Sequence, residues 1–233
     1  GYHDVVETHV EIYKKYQGTV KPPGTAYTLH PGYFSTPKTL TSINWLSDHG
    51  AILEALSRHA LLTGRQPFIE EWTGPILKGC DFIKDSCAIT DGSGVKGVMP
   101  PAVATDSQVP IQAIWSEAWT YKGLMSSVAM LKKMNHPRAS EFEHSGASFK
   151  TAFEKGFRER MPKEPEWTDP EGNSHRILPT DLIPPPEHHV YDDAFLLDTG
   201  PLILPWAGLV DASDPAMKSF GDFFRVGPNK ELR

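Results

Sequence analysis

At 233 residues, with 39% hydrophobic and 22% charged side chains, the chain is long enough for one large domain or two small ones around a real core. Its formal charge of −6 and the lack of a basic stripe argue against nucleic acid and against an anionic membrane surface as partners. No apolar run approaches the roughly 20 residues that a membrane span needs. Cys80 and Cys87 stand seven apart and imply no disulfide framework. The opening GYHDVVETHVEIYKKYQ is already helical in character, and neither an initiator Met nor a signal peptide precedes it, so the chain reads as a piece of a longer protein or a processed form.

In chain order, the first helix is expected over Tyr2 to Gln17. The second is expected from about Asn44 to Thr63, where Trp45, His49, Ile52, Leu53, Leu56 and Ala60 recur at helical spacing. Ser42 or Asn44 suits its start and Gly64 its stop. The third, Pro67 to Ser86, opens on a first-turn proline, carries Phe68, Trp72, Ile76, Cys80 and Ile83 on one stripe, and should kink at Gly74–Pro75. The short TGRQ link makes these two helices an antiparallel hairpin.

Next comes GVMPPAVATDSQVP, a stiff loop with three prolines and one charge, Asp106. The helical layout then recurs over Pro110 to Met134 and, after an NHP break, over Arg138 to Arg160. A long polar tract follows Met161, a length that in a compact domain points to function or disorder. A further helix is expected over Ala194 to Leu209, with DASDP as a break and Pro215 to Phe224 as the start of its partner. Short extended pieces are placed in Tyr27 to Thr41 and Ile177 to Ile183. Hairpins at a period of about sixty-five residues predict an array or toroid of hairpins. Short links within hairpins and long ones between them put the elaborate loops at one end, where a ligand site belongs.

The run NWLSDHGAILEALSRHALLTGRQPFIEEWTGPILKGCDFI resembles a hairpin of the six-hairpin glycosidase superfamily, the (α/α)6 barrels. Such hairpins often read as an aromatic, then His-Gly, a helix ending in Thr-Gly-Asp, and a second helix ending in an aromatic-Ile pair; Arg65 stands here where the aspartate is usual. GVMPP is similar to the Gly-hydrophobic-hydrophobic-Pro-Pro loop of many members. IWSEAWTYKGLMSSVAMLKKMNHPRASEFEHSGASFKTAF resembles their next hairpin, and DTGPLILPWAGLVDASDP the start of another. The likeness spans roughly residues 43 to 217 and implies an all-α protein. Residues 1–233 would form one hairpin-array domain of about three hairpins, part of a toroid completed by missing sequence or by another chain. It also implies a carbohydrate-active protein, a glycoside hydrolase of inverting type acting on an oligo- or polysaccharide without a cofactor, in a secreted or periplasmic setting.

Glycoside hydrolysis typically takes two carboxyl groups flanking the scissile bond. Glu117 lies in sequence among Trp115, Trp119 and Tyr121 near a helix start, where partial burial would raise its pKa as a general acid requires. The plainer reading is a first-turn carboxylate favoured by the helix dipole. Asp106 and Asp48 are the candidates for a base or a ligand to a sugar hydroxyl; a turn cap and a first-turn acid are their plainer readings. His49 is a candidate contact or a hydrogen-bonded core histidine. Trp45, Trp115, Trp119, Tyr191 and Trp206 are candidate stacking platforms for sugar rings, beside Asp192.

EHHVYDD, Glu187 to Asp193, is rich in metal-ligand types but has no spacing that specifies zinc or an EF-hand, so no metal is assigned. GxSxG, P-loop and HExxH are absent, and DGSG, Asp91 to Gly94, is adequately explained as a turn rather than as part of a nucleotide-binding glycine motif. The alternative is a non-catalytic helical module binding a glycan or another chain. A polysaccharide lyase is a third reading, but it would want a basic subsite for uronic acids, and the sequence presents no basic cluster.

Overall fold

The computed structural model describes residues 1–35, 44–104, 109–183 and 200–227. Among these the chain is mostly helical, all-α in class as expected, with seven α-helices and little sheet. The helices are α1 (His3–Tyr16), α2 (Leu46–Thr63), α3 (Gln66–Cys87), α4 (Ile114–Lys133), α5 (Ala139–Arg160), α6 (Ile203–Ala207) and α7 (Pro215–Val226). Two small antiparallel ribbons pair β1 (Ala102–Val103) with β2 (Pro110–Ile111) and β3 (Glu166–Thr168) with β4 (Ser174–Arg176).

Local chemistry explains most boundaries. Gly64 ends α2 in the left-handed region at φ 61°, its N–H donating to the Ala60 carbonyl. Only Gly64 and Arg65 then precede α3, whose first turn holds Pro67. Trp45, not Ser42 or Asn44, occupies the N-cap of α2, and no side chain caps it. Helix α3 runs through Pro75 to Cys87, with no break in the helix at Gly74–Pro75. Cys80 and Cys87 therefore sit two turns apart on one helix, about 10 Å by helical rise, and both are free. Burial pushes the Cys80 thiol up to about 12.

Several expectations need correction. The helix expected from Pro110 begins at Ile114, because Pro110 and Ile111 pair as β2 and Ala113 bridges to Asp181. The described part of the Ala194–Leu209 segment is helical only over α6, with a turn at Gly200–Leu202. Neither Tyr27–Ser35 nor Ile177–Ile183 forms a strand beyond the single bridge at Asp181. Within its described residues, the polar tract after Met161 holds a 3-10 turn, Met161–Lys163, and the β3–β4 hairpin. The Asp169 carboxylate closes that hairpin, accepting from Asn173 N–H and Nδ2 and from His175. Those bonds, His175 first, hold Asp169 well below the usual carboxylate range.

Burial separates two helix types. Helices α3 and α5 are amphipathic, with Trp72, Ile76, Cys80 and Ile83, or Phe142, Phe149, Phe153 and Phe157, turned inward. Helices α2 and α4 are covered almost all round, the mark of an inner layer. Each leaves one narrow strip open: Asp48, Ala51, Ala55, Arg58 and Leu62 on α2, and Trp115, Trp119, Lys122, Ser126, Ala129 and Lys133 on α4.

The inner helices run parallel. Gly50 lies against Trp119 and Gly123, the Ser57 and Ser127 hydroxyls meet at 3.0 Å, and Lys133 Nζ reaches the Leu61 carbonyl at 3.2 Å. The outer pair is also parallel: Arg138 grips Asp81 with both terminal nitrogens, and Lys84 reaches Glu141 at 2.6 Å. Helix α1 joins the outer layer beside α2 and α3, clasped through Glu7–His59, Asp4–Arg65 and Lys14–Glu71.

With inner helices parallel, the long connections gather at one end. The segment before α2 is stitched to the one before α4 by Val103 N–H to the Pro23 carbonyl and Tyr27 OH to the Pro100 carbonyl. The segment after α5 joins through Ile114 N–H to the Thr180 carbonyl and Leu182 N–H to the Gln112 carbonyl. The Gln112 side chain accepts from Val95 N–H and donates to the Val95 and Met99 carbonyls, each at 2.9 Å.

Candidate functional site

The open strip of α4 begins at the long-loop end with two indoles one turn apart. Trp115 and Trp119 meet edge-on at 5.8 Å between ring centroids. Trp206, carried in by α6, meets Trp119 edge-on at 4.8 Å and is 43% exposed. Lys122 Nζ lies 4.9 Å from the Trp206 ring centre. Neighbouring Leu204 and Ala207 are buried, and Lys150 Nζ donates to the carbonyl of Gly208, the C-cap of α6. Three half-exposed indoles held by two helices and one cation form a rigid amphipathic surface.

Glu117 does not belong to that surface. Successive helical residues turn by about 100°, so Glu117, two residues after Trp115, points away from it. It is 1% exposed, and its Oε2 accepts the Met99 N–H at 3.1 Å. Burial pushes its pKa well above the usual carboxylate range, and the Met99 bond offsets only part of that. Glu117 is the anchor under the GVMPP loop, with Tyr27 and Cys87 near it. For a carboxyl with a raised folded-state pKa, stability declines as pH rises from the unfolded value through the folded one. Glu117→Gln keeps the acceptor for Met99 and removes the titration. Urea melts should show the variant gaining stability relative to the parent between pH 5 and pH 8, while Glu117→Leu should lose about 1–3 kcal/mol through the orphaned Met99 N–H.

Asp48 sits elsewhere, on the α1 side of α2. It lines a cleft of about 180 Å³ with Val10, Tyr13, Ala51, Ile52 and Ala55, and its charge raises the pKa of Tyr13 and Tyr33, after burial. His49 lies in the core, fully buried, with both ring nitrogens used. Nδ1 accepts from Phe34 N–H at 3.0 Å and Nε2–H donates to the Gly79 carbonyl at 3.1 Å. It therefore joins three segments of the fold and has no nitrogen left for a sugar. Trp45 is half-buried, its Nε1 shielded and without a hydrogen bond among the described residues.

The structure thus brings Trp115 and Trp119 together, adds Trp206, and separates them from Glu117 and His49. Asp106, Tyr191, Asp192 and EHHVYDD lie outside the described residues. Lys122 and Tyr13 escaped the sequence reading. The i, i+3 spacing of Trp119 and Lys122 was a signal for the first; nothing local marks the second. The chain matches no protein-family model, and no curated protein matches it in sequence.

Proposed function

We propose that the chain is part of a carbohydrate-active (α/α) toroid of the six-hairpin glycosidase type, a glycoside hydrolase working through paired carboxylates, and that Trp115, Trp119 and Trp206 are part of its sugar-binding wall. The observation that carries this reading is the exposed indole cluster on the open strip of an inner helix, at the long-loop end. Parallel inner helices backed by parallel outer ones are what repeated hairpins around a ring produce. Sequence beyond these hairpins, or a partner chain, would complete the ring over the open strips of α2 and α4. The acid and base are then sought among Asp48, Asp106, Asp192 and Asp193, with Glu117 holding the GVMPP segment that precedes Asp106 in the sequence.

The test is oligosaccharide binding by titration calorimetry. Trp119→Ala should weaken it about tenfold, the worth of one lost stacking surface. Unchanged affinity in both Trp119→Ala and Trp206→Ala would overturn the platform. For catalysis, Asp48→Asn and Asp106→Asn are compared with the parent on a glycan panel. Full activity in both would remove them from the mechanism. The burial of Glu117 favours a second reading, a non-catalytic glycan-binding helical module. It predicts binding without turnover of any glycan.

A further inference from the structure

We infer that the indole cluster selects an acidic sugar, with Lys122 receiving the carboxylate of a uronate whose ring stacks on Trp119 and Trp206. This rests on the sugar-binding reading above. The chain carries a formal charge of −6, and most cations near its helices are already matched: Lys14 by Glu71, Lys84 by Glu141, Lys132 by Glu143, Arg138 by Asp81 and Arg158 by Asp214. On the open strips the balance is reversed. They hold Arg58, Lys122 and Lys133 against one carboxylate, Asp48, which lies across α2 beside Tyr13. Arg58 is engaged by Glu54 at 2.7 Å, and Lys133 hydrogen-bonds the Leu61 carbonyl at the short-link end.

Lys122 remains. It is half-buried, makes no ion pair among the described residues, and its contact is the face of Trp206. An ammonium held against the face of an exposed indole, in an acidic protein, calls for an anion from solution. A uronate meets both demands, because its carboxylate projects from the edge of the ring whose apolar face stacks. Lysine takes such a carboxylate as a point charge, without the fork geometry an arginine would impose.

The experiment titrates the full chain with oligogalacturonate and with its methyl ester, and with a glucuronate-substituted xylo-oligosaccharide and its methyl ester, following indole fluorescence at low and high salt. The free acids should bind about fivefold more tightly than their esters at low salt, and about equally at 0.5 M salt. Lys122→Gln should erase the preference of acid over ester; Lys122→Arg should keep it. Equal binding of acid and ester by the parent, or a preference that survives Lys122→Gln, would overturn the inference and leave the stacking reading standing. Binding of a sulfated oligosaccharide in preference to either uronate would overturn the carboxylate assignment. No response to any sugar would sink both.

Discussion

Replacing His49 by alanine is expected to cost about 3–5 kcal/mol of folding stability, from a cavity of most of a ring and two orphaned backbone groups. The ring is packed on Tyr33 and Phe34 and meets Phe82 edge-on at 4.7 Å, so the site has little room to collapse. Phe34 N–H and the Gly79 carbonyl would lose their partners deep in the core. A chain of this size should melt about 10 °C lower or more. Acid gives an independent check. Burial lowers the His49 pKa to about 3 from its ordinary 6.5. The folded state then holds the ring neutral while the unfolded chain protonates it. This contribution is intact above pH 6.5 and is lost progressively as pH falls from there toward 3. The gap between parent and His49→Ala should therefore narrow by about 1.5 kcal/mol from pH 6.5 to pH 5, read by denaturant melts. A gap independent of pH would mean that the ring is not held neutral.

The second large effect is expected from one methyl group. A Cβ at Gly50 would lie 2.2 Å from the Trp119 carbonyl oxygen, and one at Gly123 would lie 2.3 Å from the Gly50 carbonyl oxygen. Both obstacles are backbone, so neither helix yields without moving the other. Gly50→Ala should cost about 3 kcal/mol or more by forcing α2 and α4 apart. The separation would also break the Ser57–Ser127 contact. Gly221, in α7, is the control: its Cβ would meet nothing within 4 Å, so Gly221→Ala should gain about 0.5–1 kcal/mol through helix propensity. If Gly50→Ala proved neutral, the close crossing of α2 and α4 would be wrong.

What the sequence revealed follows from how local each signal is. Gly64 and Pro67 punctuate the first hairpin in a way any chain obeys, so the link and both helices were legible. Gly50 and Gly123 stood inside predicted helices, where glycine is unfavourable, and that was an unread sign of close backbone approach. The β1–β2 ribbon was illegible because two-residue strands in a proline-rich loop have no periodicity. Glu117 misled for a different reason. Its sequence neighbours Trp115 and Trp119 suggested an aromatic surrounding, but helical rotation turns it toward Met99. Tyr121, four residues on, does share its side of α4, and packs on Phe149. Trp206 joined the cluster only through tertiary folding, which no spacing within α4 could announce.

Parallel α2 and α4 also have an electrical consequence. Their peptide dipoles point the same way and add, so the long-loop end of the inner layer carries positive partial charge from the backbone itself. Asp48, the first-turn acid of α2, answers that field from within the chain. Side by side, two aligned dipoles repel; α3 and α5, which run the opposite way, offset them. The smallest electrically balanced piece is thus a whole hairpin rather than a helix. An array built this way grows or shrinks by hairpins, and loss of half a hairpin would leave an uncompensated field as well as a bare apolar face.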